Sequence, residues 1–104
     1  MFPAFSQTYQ ELSERAVAAT EQDSLSLAEK YIEQALKMEP ANPHNALLFS
    51  NLGTIQRWQH RYEQALDSYT LALNIAPRAI PALMNRAALY LELGKDDLAR
   101  IDYS

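Results

Sequence analysis

The stretch Asn51-Leu52-Gly53-Thr54-Ile55 lies over Asn85-Arg86-Ala87-Ala88-Leu89 at an offset of 34 residues. The same offset carries Tyr62-Glu63-Gln64-Ala65-Leu66-Asp67-Ser68-Tyr69 onto Asp96-Asp97-Leu98-Ala99-Arg100-Ile101-Asp102-Tyr103. Asn51 then meets Asn85, Ala65 meets Ala99 and Tyr69 meets Tyr103, while Phe49 and Ile55 fall over Leu83 and Leu89. Several matches on one offset make a repeat rather than a coincidence. A third copy lies upstream, where Ala28, Ile32, Ala35, Leu36 and Pro40 are spaced like Ala65, Tyr69, Ala72, Leu73 and Pro77. Its offset is 37, so three extra residues fall in the connection Pro40-Ala41-Asn42-Pro43-His44-Asn45. A loop absorbs such an insertion cheaply, whereas a helix would lose its phase.

Apolar residues at three- and four-residue steps make every segment of this repeat helical. The pattern predicts a first helix from about Ala4 to Ala19, with Leu12, Ala16 and Ala19 buried. Asp23 or Ser24 can cap the second, which carries Leu27, Ala28, Tyr31, Ile32, Ala35 and Leu36 before Pro40. A third is expected from Asn45, its candidate N-cap, to Gln59, with Phe49, Leu52, Gly53 and Gln56 facing its partner. The fourth spans about Arg61 to Asn74. Pro81 suits the first turn of the fifth, where its missing N–H has no acceptor to lose, and Gly94 suits its left-handed end. A sixth opens near Lys95 or Asp96. The repeats run over about 9–42, with residues 43–45 inserted, then 46–79 and 80–104. Counted on this register, the third repeat would close only beyond Ser104, so it is expected to be incomplete.

The chain has 104 residues, 48% of them hydrophobic, with two Gly and five Pro, which fits one folded domain and excludes disorder or collagen-like sequence. Thirteen acidic against nine basic residues give a net charge of −4. Seven of the acidic and three of the basic residues lie in 1–45. No cluster of Lys and Arg resembles a phosphate-neutralising surface, so nucleic acid is not an expected partner. The absence of cysteine excludes disulfides, thiolate catalysis and cysteine-ligated zinc. The start Met1-Phe2-Pro3-Ala4-Phe5-Ser6 lacks the basic and apolar regions of a signal peptide, and no run of 18 apolar residues spans a membrane. A cytoplasmic location is the resulting expectation, for a chain that could be a piece of a longer one.

This pattern resembles the tetratricopeptide repeat (TPR) over about residues 9–104. The middle copy matches the family motif with Phe49, Leu52-Gly53, Ala65, Tyr69, Ala72 and Pro77, and departs from it at Gln56. The third supplies Leu83, Arg86-Ala87, Tyr90, Ala99 and Tyr103, with Arg86 in place of the usual Leu. The first supplies Leu12, Arg15-Ala16, Ala19, Ala28, Ile32, Ala35 and Pro40. The resemblance implies an all-α fold, a right-handed α-α superhelix of stacked helix pairs. The small residues Gly53, Ala65, Ala72, Ala87 and Ala99 let paired helices approach to about 8–10 Å, so enlarging Ala72 or Gly53 should cost roughly 1–3 kcal/mol.

The resemblance further implies a concave groove, lined by the first helix of each pair, that holds a peptide or helical segment of a partner protein. Its groove positions fall on Leu47, Ser50, Asn51, Thr54, Arg57 and Trp58 in the middle repeat. In the third they fall on Pro81, Met84, Asn85, Ala88, Leu91 and Glu92, and in the first on Gln10, Ser13, Glu14, Val17, Thr20 and Glu21. The amides of Asn51 and Asn85 can pair with a peptide backbone or with a neighbouring helix. Trp58 can anchor a partner or cover its own helix pair, and Arg57 beside it can grip a carboxylate. Leu47, Met84 and Leu91 can line an apolar groove, with Leu47 alternatively in the inter-repeat core. Some family members clamp a C-terminal acidic peptide with basic and Asn residues. This chain keeps Asn51 but has Ser13, Val17, Pro81 and Asn85 at the other clamp positions, so that mechanism is not expected.

Catalysis is not expected. His44 and His60 lie in loops sixteen residues apart, without further metal ligands nearby. The carboxylate pairs Glu11/Glu14, Glu29/Glu33 and Asp96/Asp97 suit solvated helix faces or first turns. No phosphate loop or nucleophile motif is present, so no cofactor or metal is implied. The competing expectations are self-association through Leu98, Ile101 and Tyr103 at an exposed end of the array, or an accessory region of a longer protein.

Overall fold

A computed structural model describes residues 8–103, in which six α-helices follow one another without a strand. They are α1 (Tyr9–Glu21), α2 (Leu25–Met38), α3 (Asn45–Trp58), α4 (Tyr62–Ile75), α5 (Ile80–Glu92) and α6 (Asp96–Tyr103). Each odd-numbered helix packs on the even-numbered one that follows it, and α5 also touches α4 and α3. The chain divides into two compact units, Met1–Asn42 and Pro43–Ser104, so the boundary falls where the 34-residue register is interrupted. The paired-helix repeat read from the sequence is therefore the observed architecture.

Backbone geometry repeats along with the sequence. Between the two helices of each pair stands one residue in the left-handed region: Asp23 (φ 59°), His60 (φ 62°) and Gly94 (φ 74°). The three are equivalent on the 34- and 37-residue offsets. The residue after each sends its amide back to the helix just left, Ser24 to the Ala19 carbonyl, Arg61 to Gln56 and Lys95 to Tyr90, all at 2.8 Å. These bonds satisfy carbonyls that the helix end leaves free, and they turn the chain sharply. Only Gly94 adopts this conformation without crowding a Cβ.

The helix starts depart from the sequence reading. Thr8 caps α1 through a reciprocal capping box: its hydroxyl accepts from the Glu11 amide at 3.1 Å and the Glu11 carboxylate accepts from the Thr8 amide at 3.2 Å. The helix thus begins at Tyr9 rather than Ala4, residues 4–7 lie outside the described residues, and the C-terminus is Glu21 rather than Ala19. Ser24 is the N-cap of α2 by position, but its side chain makes no capping bond, and Asp23 is drawn into the left-handed turn. Asn45 is not a cap. His44 takes the N-cap place of α3 while Asn45 is the first helical residue, fully buried. Pro81 lies in the first turn of α5, and α5 closes ahead of Gly94 as expected.

Close approach sets the core. In the first unit Leu12, Ala16, Ala19, Ala28, Ile32 and Ala35 are buried. In the second, Ala65, Tyr69 and Leu89 form one cluster, with Tyr62, Leu66 and Leu93 against it. A further cluster joins Ala72, Leu73 and Ala82 to Phe49, Ala79 and Leu83. Tyr69 is wholly buried, and a Cβ at Gly53 would lie 2.6 Å from its ring. Glycine is required there by space rather than by backbone freedom. Tyr103, equivalent to Tyr69, is half-exposed instead.

Candidate functional site

Leu47, Asn51, Thr54 and Trp58 recur at three- and four-residue steps along α3, which places them on one stripe of that helix. On α5, Asn85, Ala88 and Leu91 follow one another at three-residue steps and Met84 stands four before Ala88, and α5 packs beside α3 within the second unit. Leu47, Met84 and Leu91 are each about half exposed, so Leu47 does not belong to the core. Trp58 is 55% exposed at the C-terminal end of α3. Asn51 and Asn85 are half-buried.

Three candidates have positions that the sequence did not disclose. Ser50, expected on the surface, is only 6% exposed. It lies instead in the wall of a cavity of about 260 Å³, with Pro43, His44, Ala46 and Leu47 on one side and Ala79, Pro81 and Ala82 on the other. Thr54 shares a hydrogen bond of 2.9 Å with the Tyr69 hydroxyl and donates to the Ser50 carbonyl at 3.3 Å, so it supports the core. The Arg57 guanidinium is paired with Glu92 of α5. The pair ties the two helices together and leaves no net charge between them.

Burial pushes the Tyr69 phenol above its ordinary value, against the opposing pull of the Thr54 hydrogen bond and the Arg57 charge. The buried polar positions of this unit also repeat with a change of chemistry. In the α3–α4 pair, Ser68 donates to the Gln56 side chain at 2.6 Å, which accounts for Gln56 where the motif expects an aromatic residue. In the α5–α6 pair the residue equivalent to Ser68 is Asp102. Arg86, equivalent to Leu52, grips it with two bonds of 2.7 and 2.8 Å. The same guanidinium reaches the Thr70 hydroxyl at 3.3 Å and lies 5.7 Å from the centre of the Tyr90 ring.

The first-repeat groove positions are largely satisfied locally. Ser13 donates to the Tyr9 carbonyl, Thr20 to the Ala16 carbonyl and Gln10 to Glu14. Among the described residues no group of three or more His, Asp or Glu side chains could hold a metal ion. His60 hydrogen-bonds the Tyr62 hydroxyl at 2.7 Å within its turn. Leu98, Ile101 and Tyr103 of α6 are exposed, Ile101 most of all at 68%. No described helix is long and apolar enough to cross a membrane.

The crystal structure of a tetratricopeptide repeat protein from Parabacteroides merdae superposes with a TM-score of 0.86 at 45% identity, covering 91% of this chain and 37% of that one. The fold is that of a tetratricopeptide repeat domain. The second TPR of Spaghetti, bound to the HSP90 peptide SRMEEVD, has the same fold with a TM-score of 0.83 at 22% identity, over 93% of this chain and 87% of that one. In sequence, the chain is 32% identical over 89 residues to a UDP-N-acetylglucosamine–peptide N-acetylglucosaminyltransferase of Giardia intestinalis. That match takes in 86% of the chain but only 6% of the Giardia protein, so this TPR-like chain spans a small part of the curated relative. No protein-family model matches the chain.

Proposed function

We propose that the chain is a tetratricopeptide repeat module of about three repeats, the last incomplete, which binds a peptide or helical segment of a partner protein along the α3–α5 face. Catalysis, cofactor and metal have no part in this reading. The observation that carries it is the composition of that face. Leu47, Trp58, Met84 and Leu91 remain exposed on two neighbouring helices, and the amides of Asn51 and Asn85 stand at equivalent points between them. Apolar anchors beside backbone-pairing amides are what an extended or helical segment needs. The Spaghetti structure, with a peptide bound to the same fold, supports it.

The test uses peptides selected from a displayed random library against the full chain. Trp58→Ala and the double variant Asn51→Ala/Asn85→Ala should each weaken the selected peptides at least tenfold, while Leu71→Ala, an exposed residue of α4, should not. Unchanged affinity in the first two variants rejects the face.

A second reading rests on the Giardia enzyme, in which the similar segment is 6% of the length. In it the chain is an accessory region of a longer protein, and its partner segment belongs to that protein or to its substrate. The full open reading frame decides between the two.

A further inference from the structure

We infer that the flank of α6 carrying Leu98 and Ile101 is a self-association surface, on which α6 of a second copy of this chain packs antiparallel about a two-fold axis. The peptide-binding face of α3 and α5 has no part in it.

The flank stands out when equivalent helices are compared. Ile101, Asp67 and Lys30 occupy one place of the repeat on α6, α4 and α2, and all three are exposed. Only α6 puts an apolar residue there. Three residues earlier, the exposed Leu98 stands where α4 carries Gln64 and α2 carries Leu27. At this spacing Leu98 and Ile101 are neighbours on the helix surface, while Ala99 and Asp102 are the buried residues of α6.

A further helix pair would not cover this flank. The residues by which α4 receives α5 are Tyr62, Leu66 and Tyr69, clustered with Leu89 and Leu93. Gln64 and Asp67 remain exposed although α5 and α6 follow them. On α6 the first two receiving places hold Asp96 and Arg100, and apolar residues stand instead on the flank that stacking leaves bare. Burial of Leu98 and Ile101 therefore calls for a surface from outside the array.

Charge selects a second copy. A two-fold contact must be its own complement. Asp97 and Arg100 border the apolar pair on the same side and are highly exposed, and their mutual contact is a loose 3.7 Å. With two α6 helices antiparallel, Leu98 of each copy meets Ile101 of the other, and Asp97 of each comes within reach of the other's Arg100. Residues 46–104 carry six acidic and six basic groups, so copies meeting there do not repel, whereas the acidic excess lies in residues 1–45. The eight residues of α6 make a helix of about 12 Å, so the contact is small and the dimer weak, with a dissociation constant of about 0.1–1 mM.

Sedimentation equilibrium of the full chain from about 10 µM to about 1 mM at low salt is the test. The chain should pass from monomer to dimer and stop there, because a two-fold contact closes. Ile101→Asp and Leu98→Gln, which install the residues of α4, should each raise the dissociation constant at least tenfold with helical circular dichroism unchanged. Asp97→Arg should weaken the dimer, and Asp97→Arg/Arg100→Asp, which exchanges the two charges, should restore it. A monomer throughout overturns the inference, as does a dimer indifferent to both apolar substitutions. Association lost in Trp58→Ala but kept in Ile101→Asp would move the contact to the α3–α5 face. A monomeric chain that captures a different protein through Leu98 and Ile101 would make the partner foreign, and either of these outcomes also overturns self-association on α6.

Discussion

The ring of Tyr69 occupies the space that a side chain at Gly53 would need: a Cβ built there would stand 2.6 Å from one ring carbon and 2.7 Å from the next. The contact fixes how closely α3 and α4 approach. Tyr69 cannot yield easily, because it is wholly buried and its hydroxyl is engaged by Thr54. Gly53→Ala should therefore lower stability by about 1–3 kcal/mol, seen as a shift of the urea midpoint without change of slope. A midpoint equal to that of the parent would show that the pair can open at no cost.

The left-handed turns make a prediction of opposite sign. His60 holds φ at 62° with a Cβ, where Gly94 does so without one. His60→Gly should be neutral to stabilising, by up to about 1 kcal/mol, since the relief of crowding is offset by glycine's larger unfolded freedom and the lost bond to Tyr62. Gly94→Ala, with open space around its Cβ but φ at 74°, should destabilise by about 1 kcal/mol. Thermal melts of the two variants would separate conformational strain from packing.

Arg86 and Asp102 behave as a unit. Asp102 is 8% exposed and both its oxygens are bound by the guanidinium. Removing the cation by Arg86→Leu leaves a buried carboxylate alone and should cost about 3–5 kcal/mol. The double variant Arg86→Leu/Asp102→Ser, which installs the residues found at the same places in α3 and α4, should recover most of that loss. A double-mutant cycle on denaturation measures the coupling, and additive losses would mean that the two residues act independently.

The Tyr69 phenol, raised by burial, gives a pH signature. Below the ordinary tyrosine value of 10.0 it is neutral in both folded and unfolded chains and stability is unaffected. Above it the unfolded chain releases the proton first, so stability falls as pH rises towards the higher folded value. Denaturation midpoints should decline from about pH 10 upward, and Tyr69→Phe should flatten part of that decline.

Glu92→Gln would leave Arg57 without its carboxylate partner and give the α3–α5 face a net positive charge. Attraction of acidic peptides should then rise several-fold at low salt and fall back as salt is added. Calorimetric titration of the parent and the variant checks this, and equal affinities would deny Arg57 any influence on ligands.

The helical pairing was legible because apolar spacing and the 34-residue offset are both properties of linear sequence. Gly94 and Pro81 marked their boundaries for the same reason: their backbone limits are intrinsic. The start at Thr8 was missed because apolar periodicity runs on upstream, while the cap depends on a side-chain bond with Glu11. Arg86 was visible as a departure, but its partner Asp102 is 16 residues away on another helix. Only the fold brings them together. That Ser50 is largely covered and Arg57 paired with Glu92 was not legible, because a position in a repeat does not reveal what a neighbouring helix covers or neutralises.

The polar contacts beneath the second unit have a bearing on how it assembles. Helices built on one template are at risk of choosing the wrong neighbour while the chain is still collapsing. Here α3 offers Leu52 and Gln56 where α5 offers Arg86 and Tyr90, and α4 offers Ser68 where α6 offers Asp102. If α6 docked on α3, a carboxylate would be shut against leucine with no cation to meet it. If α4 docked on α5, a guanidinium would find only a serine. Each arrangement forfeits what its proper neighbour provides, so near-copies of one sequence still sort themselves into their own couples.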